Sequence, residues 1–154
     1  MAYSCSLNHR SQVSQTLMFD HCFELPGVMM EIERFGIILN VANFDDCVLF
    51  YKSLFGLKEL FSKSHGDFRL TCLEFGEAYL MIETGGVASE QEKTFSQSPA
   101  ILRFHVEDTQ KVLKSVQQFD SAAKRIETDW GNIIRCVDPD GNPISIRESS
   151  GFEN

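Results

Sequence analysis

Six side chains with chemistry to offer fall at alternate positions on short apolar runs. Asn40 lies in 37–41, Glu83 in 79–84, Arg103 and His105 in 100–106, and Ser145 and Arg147 in 143–147. Alternation of this kind marks a strand whose two faces meet different surroundings. With Ile37, Leu39, Val41, Leu80 and Ile82 facing a core, the named polar groups face the other way, beside Ile38, Tyr79, Met81 and Ile101. A few converging polar groups among apolar ones is how small-molecule sites are built. Arg103 and Arg147 suit bidentate binding of an anionic group. His105 oriented by Glu83 would make a general base. The competing reading is structural: Glu83 paired with Arg103 or Arg147, Arg147 with Glu148, and His105 bonded near a strand end. For His105 the structural reading is preferred, and no catalytic residue is assigned. Adding Trp130, the expected ligand contacts are Ile38, Tyr79, Met81, Ile101 and Trp130 from the apolar side. Asn40, Glu83, Arg103, His105, Ser145 and Arg147 supply the polar side.

Other chemistries find little support. No phosphate-cradling glycine loop or nucleophile elbow is present. His9 and His21 fall in the first thirty residues and His65 in a turn. The five cysteines are odd in number and none has C-x-x-C spacing, which fits a reducing cytosol better than a disulfide framework. A net charge of −8 without a basic run disfavours nucleic acid and anionic membranes. No apolar stretch approaches the ~20 residues of a membrane span. The first residues lack a secretory apolar region, so a cytoplasmic location is expected.

The elements that must position these residues follow from periodicity. After the strand at 37–41, Asn43 is placed to cap a helix with Asp45 and Asp46 in its first turn. Cys47, Val48, Tyr51 and Leu54 recur at helical spacing and Gly56 stops the helix. Strands are expected at 57–62, 68–75 and 79–84, with turns at His65-Gly66-Asp67 and Gly76-Glu77. A polar linker covers 85–98. The order then repeats: strand at 100–106, a helix capped by Asp108, and strands at 125–128, 132–137 and 143–147. Asp138-Pro139-Asp140-Gly141-Asn142 is dense in turn formers. The 13 Phe, spread along the chain, suggest a well-filled core.

The residues repeat with the order. Ile37, Leu39, Val41 and Asn43 correspond to Leu102, Phe104, Val106 and Asp108 at one offset, 106 − 41 = 65. Gly76 corresponds to Gly141, while Leu80 and Ile82 correspond to Ile144 and Ile146 after a one-residue slip. A register shared through strand, cap, helix and last strand reads as duplication. The expected organisation is a tail or arm over 1–30 and an α+β domain over 31–150. Its modules are 33–85 and 99–148, and a short tail covers 151–154. For the first thirty residues a loose tail is preferred over an arm that packs on a partner through Leu17, Phe19 and Phe23.

These residues resemble the vicinal oxygen chelate superfamily, the glyoxalase/bleomycin-resistance/dioxygenase group. The resemblance rests on Val41-Ala42-Asn43-Phe44 leading to Phe50-Tyr51-Lys52-Ser53-Leu54-Phe55-Gly56-Leu57, on Leu80-Met81-Ile82-Glu83 after Gly76, and on Phe104-His105-Val106-Glu107-Asp108. Trp130-Gly131 and Asp138-Pro139-Asp140-Gly141-Asn142-Pro143 complete it. It implies paired βαβββ modules with curved mixed sheets, a central cavity and a homodimer. Metal-using members carry ligands at positions that map here to Gly36, Met81, Ile101 and Ser145, none of which suits a hard divalent ion. The resemblance therefore implies a metal-independent small-molecule binding protein of the bleomycin-resistance kind, with no metal or cofactor. Its rivals are a lyase or isomerase with an unusual site, and a non-catalytic dimeric interaction domain.

Overall fold

The computed structural model describes residues 32–150, apart from Trp130. The expectations for residues 1–30, for Trp130 and for 151–154 lie outside the described residues. The elements run β1 (Gly36–Val41), α1 (Phe44–Leu54), β2 (Glu59–His65), β3 (Phe68–Phe75), β4 (Ala78–Thr84), β5 (Leu102–Val106), α2 (Thr109–Val116), β6 (Lys124–Thr128), β7 (Gly131–Val137) and β8 (Pro143–Glu148). Each half is strand, helix and three strands, as the repeat requires. The strands form two four-stranded mixed sheets, ordered β1-β4-β3-β2 and β5-β8-β7-β6. In each, the first strand pairs in parallel with the last.

The duplication is visible in the pairing. Ile37 stands opposite Leu80 and Leu39 opposite Ile82. Leu102 stands opposite Ile144 and Phe104 opposite Ile146. The one-residue slip inferred from sequence is the shift that preserves these partners. It falls in the two turns before the last strands, where Gly76 and Gly141 both hold positive φ (59° and 79°). Side chains disfavour that region, so glycine sits there in both halves. At Gly141 a side chain would also meet the carbonyls of Gln91 and Ser89 at 2.6 and 2.7 Å.

One core serves both halves. Val41, Cys47, Phe50, Tyr51, Leu80 and Ile82 from the first pack with Leu102, Val116, Ile134, Ile144 and Ile146 from the second. α1 is central to this junction: Phe55 at its end stacks on Phe104, ring centres 3.7 Å apart, and Phe50 meets Phe119 edge to face at 5.5 Å. The phenylalanines do not all fill the core, however. Phe35, Phe61, Phe68, Phe95 and Phe119 are exposed in the single chain.

Two caps differ in kind. Asp108 accepts hydrogen bonds from the N–H groups of Gln110 and Lys111, the cap expected. Asn43 makes no side-chain cap. Its side-chain amide is turned to the Pro139 carbonyl, to which it donates at 3.4 Å, and Asp140, from the other half, takes the N–H groups of Ala42 and Asn43 at 2.6 and 2.9 Å. Nor is the linker loose: Ser89 and Lys93 donate backbone N–H groups to the carbonyls of Asp140 and Gly141, and Lys93 Nζ reaches Asn142 Oδ1 at 2.9 Å.

Candidate functional site

Each sheet has one face on the core and one turned away from it. In the first sheet the outward rows are Gly36–Tyr79–Glu74, Ile38–Met81–Cys72 and Asn40–Glu83–Leu70. In the second they are Arg103–Ser145–Arg135–Lys124 and His105–Arg147–Ile133–Ile126. The structure thus brings Ile38 beside Met81 and Asn40 beside Glu83. It brings Arg103 beside Ser145 and His105 beside Arg147. Ile101 precedes β5 rather than lying within it. The two sheets are not joined to each other by strand pairing. Exposure varies along the outward faces: Ile38 is 53% exposed, whereas Cys72 and Ser145 are buried.

A cleft of about 610 Å³ opens beside β1, where Ile38 and Asn40 meet the linker at Val87, Ser89, Lys93 and Gln97. Sequence reasoning missed the linker as a wall. Its polar composition suggested solvent, and only the bonds to Asp140, Gly141 and Asn142 hold it there.

The structural alternatives for the charged groups are partly answered. No ion pair joins Glu83 to Arg103 among the described residues. Glu148 faces the core side, whereas Arg147 points outward. Its carboxylate accepts from the Thr109 hydroxyl at 2.6 Å and from Asn132 Nδ2 at 2.9 Å. These bonds hold its carboxyl below the usual range.

The thiols are unsuited to nucleophilic work. Burial pushes Cys136 up to about 12 and Cys47 higher still, with Asp138 and other carboxylates adding to the effect. A thiol so placed stays protonated at neutral pH. Both behave as small core residues, and Cys72, on the outward row, is buried as well.

The metal-ligand positions occupy the same diagonal in both halves. Gly36 precedes by two residues the partner of Met81, and Ile101 precedes by two the partner of Ser145. The donor set does not fit a divalent ion. Glycine and isoleucine offer no donor, a thioether is a poor ligand for hard ions, and a hydroxyl is neutral. The slot at residue 36 is also filled, because a side chain built on Gly36 runs into the ring of Tyr79. That ring stands where a ligating side chain would have to lie, with the Arg34 guanidinium 5.5 Å from its centre. No cluster of three or more His, Cys, Asp or Glu suited to a metal occurs among the described residues.

This contact yields a measurable expectation. Gly36→Ala should displace the Tyr79 ring and destabilise the chain by no more than about 1 kcal/mol, below the cost of overpacking a closed core, because the position is exposed and the ring can swing aside. Tyr79→Ala in the same chain should remove most of that penalty. Urea melts of the two single variants and the double variant test it; additive costs would mean the ring is not the obstacle.

Comparison with solved structures closes the description of the fold. The chain superposes on glyoxalase I of Leishmania major with a TM-score of 0.62 and 18% identity, over 80% of this chain and 91% of that one. A glyoxalase/bleomycin resistance protein/dioxygenase domain from Frankia gives 0.60 and 16%, over 79% and 98%. The fosfomycin resistance protein FosX of Mesorhizobium loti gives 0.55 and 14%, over 78% and 92%. The chain has the vicinal oxygen chelate fold. No protein-family model matches its sequence, and no curated protein matches it. The likeness lies in the paired βαβββ modules. No helix among the described residues is long and apolar enough to cross a membrane.

Proposed function

We propose that the protein binds a small organic molecule on the outward sheet faces without a metal ion, in the manner of a sequestering protein. The observation that carries this reading is the Tyr79 ring lodged at the Gly36 position. An aromatic surface replaces a ligating side chain there, beside Ile38 and Met81, with Asn40 and Glu83 as polar neighbours. Tyr79, Trp130, Ile38 and Ile101 supply apolar contact in this reading. Arg103, His105, Ser145 and Arg147 supply polar contact. The binding domain spans residues 31–150, with 1–30 and 151–154 as tails, and the protein acts in the cytoplasm.

Part of these faces is exposed among the described residues, and in this reading the site is completed in a homodimer. β1 and β5 are both edge strands. Ile32, Phe35, Ile37 and Ile38 cluster in or just before β1 and are exposed. An apolar, unpaired edge of this kind is a natural docking surface.

Trp130 is the only tryptophan of the chain and serves as the probe. Titration with aromatic and anionic small molecules should change its emission saturably, and a chelator should leave the response intact. Loss of the response on chelation, or a stoichiometric divalent ion in the purified protein, would overturn metal independence. Unchanged emission across a broad set, with no heat of binding by calorimetry, would sink the binding role.

A further inference from the structure

We infer that the cleft between β1 and the linker is a binding site for a singly charged organic acid, with Lys93 as its counter-ion. This goes beyond the sheet-face reading above. The cleft shares Ile38 and Asn40 with those faces, but none of the four mapped metal-ligand positions lines it. Its volume of about 610 Å³ suits a small molecule. The linker is fastened over it. Gly86 donates its N–H to the Val41 carbonyl at 3.2 Å, and Ser89 and Lys93 donate theirs to the carbonyls of Asp140 and Gly141 at 3.0 and 2.9 Å. At Gly86 the crossing is so close that a side chain would run into the Asn40 carbonyl.

The lining has a cation and lacks an anion. Among the described residues that line the cleft, Lys93 alone is charged, in a chain with 22 acidic residues. It is half-buried, and among the described residues it forms no ion pair. An ammonium carries three donors, and Asn142 Oδ1 accepts one of them at 2.9 Å. Asn142 is itself 6% exposed and held by Asp138, to which its amide donates at 2.8 Å. Gln97 adds a further donor. Its oxygen already accepts from the Thr94 N–H and hydroxyl at 3.0 and 2.9 Å, which leaves its amide nitrogen to donate. A partly desolvated cation without a counter-ion is costly, and an anion seated in the cleft relieves that cost.

What lies behind Lys93 limits how much negative charge the cleft takes. The Asp138 carboxylate stands one residue away, reached through Asn142, and buried Asp140 lies where the linker is fastened. One ammonium backed by these acids favours a single charge over two. Lysine is also a compact point charge, without the fork that matches a phosphoryl group bidentately. The rest of the ligand follows from the other lining residues. Ile38 and Val87, 53% and 76% exposed, offer apolar surface in the same cleft. A carboxylic acid with an aliphatic or aromatic body meets both requirements.

Calorimetry on the full chain with octanoate, octanol, octyl phosphate and octylammonium tests the assignment. Octanoate should bind about tenfold or more tighter than octanol, the usual gain from a charge-assisted contact. It should also exceed octyl phosphate, and octylammonium should not bind. Lys93→Met should bring octanoate down to the affinity of octanol and leave octanol unchanged. Lys93→Arg, which keeps the charge, should keep most of the octanoate affinity; Lys114→Gln, on α2, should change nothing. Limited acetylation of the wild type, followed by mass spectrometry, needs no variant: octanoate should slow modification of Lys93 and not of Lys114. Equal affinity for octanoate and octanol, or octanoate affinity unchanged in Lys93→Met, overturns the site. Tighter binding of octyl phosphate overturns the single charge and the proposal with it. Should Lys93→Met fail to fold, unslowed acetylation of Lys93 under saturating octanoate overturns it in the same way. If no compound binds, the cleft site falls, while the sheet-face reading is judged separately by the Trp130 titration.

Discussion

Asp138→Ala should lower stability by about 3–5 kcal/mol, the cost of stranding several buried donors together. The carboxylate is 3% exposed and accepts four hydrogen bonds. Three are local: the N–H groups of Asp140 and Asn142 and the Asn142 side-chain amide, at 2.9, 2.9 and 2.8 Å. The fourth comes from the Tyr51 hydroxyl at 2.9 Å, 87 positions away on α1. Alanine leaves all four without an acceptor and opens a cavity at the junction of the halves. Tyr51→Phe removes only the long-range bond and should cost about 1–2 kcal/mol. The double variant should be less destabilised than the sum of the singles, because the bond is shared. Thermal and urea unfolding of the set checks this; a loss under 1 kcal/mol for the alanine variant would mean that water replaces the carboxylate.

The same residue gives the chain a pH signature. Burial raises the Asp138 pKa above the usual 3.8, against the lowering effect of bonds from Asn142, Tyr51 and the Asp140 N–H. A raised acid binds more protons in the folded state than in the unfolded state. Stability therefore falls as pH climbs from the usual aspartate value through the folded one, and the cost of the buried charge persists at neutral pH. Glu148 works in the opposite sense. Its lowered pKa supports the fold above the usual glutamate value, and that support is lost as pH drops through its folded value. Asp138→Asn should abolish the first slope and leave the second.

The contrast between these carboxylates shows what sequence carries and what it omits. Asp108 was legible because a cap and its helix are neighbours: the acceptor serves Gln110 and Lys111, two and three positions on. The paired modules were legible for a related reason. Alternation at 37–41 and 102–106 marks the inward side chains, and the constant offset shows the same rule twice, although Ile37 at the start of β1 is 38% exposed and stays outside the core. Asp138 and Asp140 were legible only as turn formers. Nothing near them announces that they are buried, because their partners Tyr51, Ala42 and Asn43 lie 87 to 98 positions earlier. The candidate site divides in the same way. Face parity put Asn40, Glu83, Arg103 and Ser145 on outward faces, and only the strand pairing sets Asn40 beside Glu83 and Arg103 beside Ser145. The linker wall was missed because its composition speaks of solvent while its hydrogen bonds are tertiary.

Asp140→Ala should cost about 3 kcal/mol and should mark a different part of the molecule from its neighbour. Asp140 is fully buried and holds the Ala42 and Asn43 N–H groups, the free donors that precede α1. Its negative charge also lies at the positive end of the helix dipole. Losing two charge-assisted bonds and the favourable charge at the helix N-terminus together exceeds the ~1 kcal/mol of an ordinary capping loss. For a domain of this size the melting temperature should fall by roughly 10 °C. Hydrogen exchange separates the mechanism from general loosening. The amides at Ala42, Asn43 and the first turn of α1 should lose protection in Asp140→Ala. Those of α2, capped by Asp108, should hold. Asp140→Asn, which keeps one acceptor oxygen and faces an amide with its new donor, should fall between wild type and alanine. If α1 and α2 lost protection equally, the carboxylate would be acting on the whole fold. If neither changed, Asn43 would have taken over the cap its own side chain now leaves unmade.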